Sequence, residues 1–375
     1  MLLAEKNSEL SFSQARLIRA GVILSAFVSL AGAETASGVA ASRSLTAELP
    51  LTNDETQPHL KTIKELAGFG LEVTAKQRQQ LKNSTIKLDA INKSNLSIHS
   101  SCTGLKIIAN SLPYIITAGH CFRYLDPSIE GWINSRSPQT EALDFLNPTT
   151  NNYRFRIHDP TGSTYATIAE VQGISIPEGR DYALLSIDPN SIVKPPPDAN
   201  KAGPVPRYFD QIPRLAYKAA FAEPLAGQEA AVYSVPDANN DLAVAETGIY
   251  LGRTSPNLKK YIKLPPNELF DVVAIKTSAP KNDGCQYGSS GSAAILADGH
   301  ILGPLSERFN LGYGPRHKIY PPDSSLIFQK HFWRNIENDL GVRIDDPSFR
   351  TLCFYNVPSR ETIPVMLTGF GHYSP

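Results

Sequence analysis

Hydrophobic positions along this chain fall into three textures. The first is one unbroken apolar run, "AGVILSAFVSLAGA" (20–33), behind Lys6, Arg16 and Arg19 and closing on Ala31-Gly32-Ala33. The second runs from about His59 to Leu88, where "HLKTIKELAGFGLEV" spaces its apolar residues at mixed threes and fours and Thr74 can cap "AKQRQQLKN". That spacing predicts helix. The third begins near Ser97 and consists of short β-type runs broken by Gly, Pro, Asn and Asp. They are "TGLKIIA" (103–109), "PYIITA" (113–118), "TYATIAEV" (164–171) and "DYALLSI" (181–187), then "EAAVYSV" (229–235), "TGIYLGRT" (247–254), "FDVVAIKTS" (270–278), "SAAILA" (292–297) and "HILGPLS" (300–306). Many short strands at close spacing predict an all-β sandwich or barrel. Between the two groups lies "DPNSIVKPPPDANKAGPVPRYF" (188–209), whose prolines cannot donate to a ladder, so it reads as a linker between two β units. One late helix is predicted over 325–340: Ser324 or Ser325 caps it, Phe332, Trp333, Ile336 and Leu340 recur at helical spacing, and Gly341 stops it. Residues 342–375 read as a tail carrying Cys353.

The first texture changes what the rest means. Positive charge, a short apolar core and small residues at its end describe an export signal, residues 1–33, cleaved near Ala33/Glu34. The run is too short to span a ~30 Å hydrocarbon core. The expected location is therefore secreted or periplasmic, with no membrane partner beyond the signal. Residues 34–96, polar and then partly helical, read as a leader or propeptide. The chain's 375 residues leave room for two compact units, since single domains usually run ~100–200 residues. Lys plus Arg equals Asp plus Glu at 36 each, so no overall field favours nucleic acid. In an oxidising compartment Cys102, Cys121, Cys285 and Cys353 read as two disulfides, with all three connectivities open at this point. A zinc site lacks CxxC or HxxxH spacing, and no metal or cofactor is expected.

Candidate chemistry starts at His120 in "YIITAGHCF". It is a packed core histidine, a ligand, or a general base, and a base needs a nucleophile and an orienting carboxylate. In "DGCQYGSSGSAAI" (283–295), Gly288 and Gly291 bracket Ser289 and Ser290 ahead of an apolar strand. Glycine permits the tight turn that points backbone N–H groups at a developing oxyanion; the plainer reading is a Gly/Ser turn between strands. Asp181 heads the apolar strand of "GRDYALLSID", either as a strand cap or buried against an imidazole N–H. Asp144, Asp159 and Asp188 are rivals, but none directly precedes an equally apolar run.

Together these segments resemble a known family. "CTGLKIIANSLPYIITAGHC" is similar to the histidine box of the chymotrypsin-like (trypsin-like) serine peptidases, "RDYALL" to their Asp strand, and "GSSGSA" to their G-[DN]-S-G-[GS]-P box, in the family's His, Asp, Ser order. The resemblance implies His120 as base, Asp181 as its carboxylate, Ser290 as nucleophile, and an oxyanion hole made by the N–H groups of Gly288 and Ser290. It implies a Cys102–Cys121 disulfide, which leaves Cys285 to pair with Cys353. "HILGPLSE" resembles the strand lining the substrate cleft and assigns Ser306 to substrate binding; Asp283, read back from Cys285, falls where trypsin-like members hold the carboxylate that receives Arg or Lys. The implied fold is two six-stranded antiparallel β-barrels over residues 97–341 (about 97–190 and 207–341), with a C-terminal helix and an N-terminal extension. The implied activity is that of a secreted serine endopeptidase, made as a zymogen and acting on protein or peptide. The alternative is a catalytically silent relative serving as a secreted binding or adhesion module.

Departures from the family pattern also carry information. Ser289 stands where animal members have the Asp that pairs with a freshly cut N-terminus, so that activation route does not carry over. With Ser292 after Gly291, the box is closer to bacterial, glutamyl-endopeptidase-like members ("GNSGS"). Ala293 replaces a proline, Glu307 stands where an aromatic residue is common, and Tyr287 is an extra residue between Cys285 and the Gly288 turn.

Overall fold

The structure, a computed structural model, describes residues 60–68, 70–109, 112–135, 141–145, 152–160, 167–187, 209–216, 222–235, 243–255, 268–276, 285, 288–310, 334–344, 346, 348–357 and 362–370. All of them lie in the compact unit Gln57–Pro375. Residues 1–33, expected to be an export signal, the first part of the segment read as a leader, Asp283, Tyr287 and most of the proline-rich stretch read as a linker lie outside the described residues.

The chain enters through β1 (Lys61–Thr62), α1 (Ile63–Ala67) and α2 (Ala75–Ser84). Both helices open with a capping box, Thr62 with Glu65 and Thr74 with Gln77. Each box satisfies two backbone N–H groups that a first helical turn leaves orphaned. The Thr74 cap is the one expected from sequence. At Thr85 the backbone turns extended and the first barrel begins.

That barrel is built from β2 (Thr85–Asn92), β3 (Ile98–Ala109), β4 (Leu112–Thr117), β6 (Tyr153–His158), β7 (Thr167–Pro177) and β8 (Ala183–Ile187); helix α3 (Ser128–Ile133) and β5 (Ala142–Asp144) lie between β4 and β6 in the chain. Antiparallel pairings run β2–β6–β7–β8–β4–β3 and return from β3 to β2. The ring of six is closed, which removes the free edges an open sheet exposes. Period-2 alternation fills it: Ile86, Leu88 and Ala90 of β2 join Ile115, Phe155 and Ile157 in one buried cluster. Outside the ring, β5 pairs with β7, and β9 (Leu215–Ala216) runs parallel to β3.

The second unit comprises β10 (Glu229–Ser234), β11 (Val244–Arg253), β12 (Phe270–Lys276), β13 (Ala293–Leu296), β14 (Ile301–Leu302), β15 (Leu305–Asn310) and β17 (Phe349–Asn356). Before β17 come α4 (residues 334–340) and β16 (Val342–Arg343), which pairs with β1; α5 (Thr362–Thr368) follows it. The sheet order is β14-β13-β10-β11-β12-β17-β15. It curls until its ends touch, with the Leu305 N–H donating to Ser292 O at 2.7 Å and the Gly291 N–H to Leu305 O at 2.9 Å, but no ladder joins β15 to β13.

The architecture is thus the chymotrypsin-like double barrel, mostly β, with one closed six-stranded barrel and one strongly curled half-barrel. The second unit stops short of a closed ring for a local reason. Gly303-Pro304 ends β14 after two residues, Pro304 has no N–H for a ladder, and the chain crosses to pair with β17 instead. The boundaries also widen beyond 97–341. β2 comes from the segment read as leader, and β17, from the segment read as tail, lies inside the sheet between β12 and β15. Of the predicted closing helix, 334–340 is helical, followed by Gly341 at φ 65°; residues 324–333 lie outside the described residues.

The two β units meet along a second apolar cluster. Leu105, Ile107, Ile116 and Leu184 from the outside of the first barrel pack with Ala231, Tyr233 and Ile295 of the second. This seam sets the two units against each other, and the candidate site opens beside it.

Candidate active site

His120 follows β4 in a 3₁₀ turn, Gly119–Phe122. Gly119 lets the turn close: a Cβ there would sit 3.2 Å from the Tyr182 nitrogen and 3.2 Å from Ile133 Cδ1. The Cys102–Cys121 disulfide ties the same turn to β3. Asp181 approaches from the head of β8. Its Oδ1 accepts the His120 backbone N–H at 2.7 Å, and its Oδ2 lies 2.9 Å from His120 Nδ1. The carboxylate is buried and also accepts a hydrogen bond from Ser306 Oγ.

Three donors converging on one carboxylate fix its orientation. Burial alone would lower the His120 pKa, but the charge and hydrogen bond of Asp181 outweigh it, with further help from Glu307, and the imidazole titrates above its ordinary value. With Nδ1–H held on the carboxylate, Nε2 is left as the basic nitrogen.

Ser306 owes its direction to a register shift. The β15–β17 ladder slips between Leu305 and Glu307, making Ser306 the extra residue, and such a bulge re-aims a side chain. The residue expected to bind substrate lines the cleft but turns its hydroxyl to Asp181. Glu307, next along, faces the same cleft, and burial pushes its carboxyl up.

Ser290 stands on a turn that only glycine permits at its ends. Gly288 and Gly291 have φ of 89° and 84°, in the left-handed region L side chains avoid. A Cβ on Gly291 would fall 2.0 Å from Thr117 Oγ1 and 2.2 Å from the Thr103 carbonyl oxygen. The turn is fastened to the first barrel by Thr103, whose N–H donates to Ser290 O at 2.8 Å and whose hydroxyl donates to Gly288 O at 3.1 Å. No motif assigns Thr103 a role, and its one signal in the sequence is its position directly after Cys102. Among the described residues, the N–H groups of Gly288 and Ser290 have no acceptor. Ser289 is buried and hydrogen-bonds Ser234 Oγ at 3.2 Å.

His120, Asp181, Gly288, Ser290, Ser306 and Glu307 line one cavity of about 320 Å³. Arg123, Glu130 and Arg308 also face it, so its charge is mixed. Ser290 Oγ and His120 share the cavity without a hydrogen bond between them; catalytic hydrogen bonds are often long before substrate binds. Cys285 and Cys353 form the second disulfide, crossing from the edge of this cavity to β17. Asp283 lies outside the described residues, and Asp144 holds the Ile174 N–H of β7 away from the site.

No family model matches this chain, and no curated protein matches it. Among solved structures it is similar to the active form of the Rv3671c protease from M. tuberculosis, at 11% identity and a TM-score of 0.40, over 87% of this chain and 96% of that one. It is also similar to Deg5, at 13% identity and a TM-score of 0.37 over 62% of this chain and 83% of that one. A serine endoprotease from Yersinia pestis matches at 14% identity and a TM-score of 0.34, over 63% of this chain and 58% of that one. At such identities and scores these likenesses carry no argument about activity.

Proposed function

We propose that this protein is a secreted serine endopeptidase that hydrolyses peptide bonds through Ser290, His120 and Asp181. The observation that carries the reading is the convergence in one cavity of an Asp-held imidazole, a serine on a glycine-bounded turn, and two backbone N–H groups that have no acceptor among the described residues. His120 Nε2 takes the proton of Ser290 Oγ as the oxygen attacks the substrate carbonyl. The N–H groups of Gly288 and Ser290 receive the developing oxyanion, each such donor being worth about 3 kcal/mol of barrier height. Asp181 stabilises the imidazolium. His120 then protonates the leaving amine, and water, deprotonated by the same nitrogen, releases the acyl-enzyme.

Activation differs from pairing a new N-terminus with an acid beside the nucleophile. Ser289 carries no charge and its hydroxyl is engaged by Ser234. Export rests on the 1–33 segment, the leaning toward glutamyl-endopeptidase-like members on the "GSSGS" box, and a preference for basic residues on Asp283. A peptide-library cleavage profile distinguishes these last two. The activity itself is tested by a serine-directed fluorophosphonate and a peptide substrate. Wild-type protein should label at Ser290 and turn over, and Ser290→Ala should lose both while staying folded. A Ser290→Ala protein that still cleaves peptides refutes the assignment, and a wild-type protein that never labels favours the silent binding module.

A further inference from the structure

We infer that Glu268 and Asn356 are positioning residues that hold Asp181 against His120 from the second β unit; the inference rests on the peptidase reading above. Asp181 belongs by sequence to the first barrel, yet its hold comes from the other unit at three points. Its N–H donates to Glu268 Oε1 at 3.1 Å, its C=O accepts from Asn356 Nδ2 at 2.7 Å, and its carboxylate accepts from Ser306 Oγ. The next residue is tied to the C-terminal helix, with Tyr182 Oη and Thr362 Oγ1 of α5 3.0 Å apart.

The same anchors reach the nucleophile turn. The Asn356 N–H donates to Pro304 O at 3.0 Å, and the adjoining Leu305 N–H donates to Ser292 O at 2.7 Å. Acid and serine are therefore linked through the second β unit, and the imidazole is presented to both from the first barrel. A small displacement of Asp181 would loosen its hold on Nδ1, and a misplaced catalytic group costs rate out of proportion to the distance moved.

Both residues are poor choices for stability alone. Each is fully buried. Glu268 brings a carboxyl group into the interior, and Asn356 Oδ1 has no hydrogen-bond partner among the described residues. Buried polar groups of this kind lower stability relative to apolar residues of similar shape. Residues that break a local packing rule concentrate at functional sites, and here the broken rule supplies the two hydrogen bonds on the Asp181 backbone.

The test uses the full mature chain, with turnover of a peptide substrate and the His120 titration midpoint followed by NMR. The charged groups acting on His120 are Asp181, Glu307 and Arg123, and only the first is moved by the substitutions. Asn356→Ala should lower kcat by about ten- to a hundredfold, leave KM within about twofold, and bring the His120 midpoint down toward the ordinary histidine value. Glu268→Ala should behave alike, whereas Glu268→Gln, which keeps an oxygen acceptor, should retain at least about a third of wild-type kcat. A folded Asn356→Ala protein with unchanged kcat and unchanged midpoint overturns the inference. If Asn356→Ala does not fold, equal kcat and equal midpoints in Glu268→Ala and Glu268→Gln overturn it instead. Failure of the peptidase reading looks different: wild-type protein without labelling or turnover. In that case the NMR midpoint still decides whether Asn356 and Glu268 hold Asp181.

Discussion

Replacing the Asp181 carboxylate by the nearly isosteric amide in Asp181→Asn tests the site at its most constrained point. One oxygen, Oδ1, faces the His120 backbone N–H at 2.7 Å, a donor that cannot rotate or change tautomer. The amide oxygen must occupy that position, because an NH₂ group there would oppose a fixed N–H. The NH₂ then falls at the Oδ2 position, 2.9 Å from His120 Nδ1 and beside the Ser306 hydroxyl. The hydroxyl can rotate to accept, but Nδ1 must give up its proton to accept as well. The imidazole is driven to the Nε2–H tautomer, which has no lone pair for the proton of Ser290. The fold should survive, since the shape is unchanged, while kcat falls by about 10⁴, the loss such a tautomer trap produces in this type of triad. At 1.36 kcal/mol per decade this is roughly 5.5 kcal/mol of barrier. The assay is steady-state hydrolysis of a peptide near pH 7.5, with circular dichroism to confirm folding and fluorophosphonate labelling to count reactive Ser290. A folded Asp181→Asn protein retaining more than about a tenth of wild-type kcat refutes the assignment of His120 as base.

The raised His120 pKa predicts that kcat/KM rises with pH through a midpoint above the ordinary histidine value, because the base must be neutral; a pH–rate profile reads it, and a midpoint below 6.5 contradicts it. The same shift stabilises the fold below the ordinary histidine value, and that contribution is lost as pH climbs through the raised one. Gly291→Ala places a Cβ against Thr117 Oγ1 and the Thr103 carbonyl at positive φ, so thermal unfolding should show a loss of about 3 kcal/mol or more. Buried Asp89 resists the upward pull of desolvation through His158, Ser101 and Lys87, and its pKa lies below the ordinary carboxylate value. Its contribution is complete above about pH 4 and lost as pH falls through the lowered value. Urea midpoints measured from pH 5 down to pH 2 should fall less steeply in Asp89→Asn than in wild type.

What the sequence made legible was local. His120, Asp181 and the Ser290 turn each sit in a short segment whose own residues dictate a turn or a strand head, and the structure brings those segments to one cavity. What escaped was set by distant partners. The strand β2 alternates cleanly, but its polar positions Lys87 and Asp89 are buried against His158 and Ser101, and in isolation "TIKLD" continues the helical pattern before it. Strand β17 carries Cys353 and aromatic residues that bury on both faces, which removes the period-2 signal. The hydrogen bonds that tie Thr103, Glu268 and Asn356 to the site join residues 185, 87 and 175 positions apart, and no neighbour in the chain announces them. The open edge of the second barrel depends in the same way on Pro304 sending β15 to a partner that comes some forty residues later.

The late arrival of β17 has a consequence for biosynthesis. β12 ends at Lys276, yet the neighbour that covers its flank is synthesised only with residues 349–356. At ~5–20 residues per second, a nascent chain carries that strand edge bare for on the order of ten seconds, together with an unpaired Cys285. The acid's second anchor, Asn356, emerges in the same stretch. Every shorter translation intermediate thus lacks the strand that closes this flank, and an uncovered strand edge is what a ribosome-associated chaperone would have to shield meanwhile.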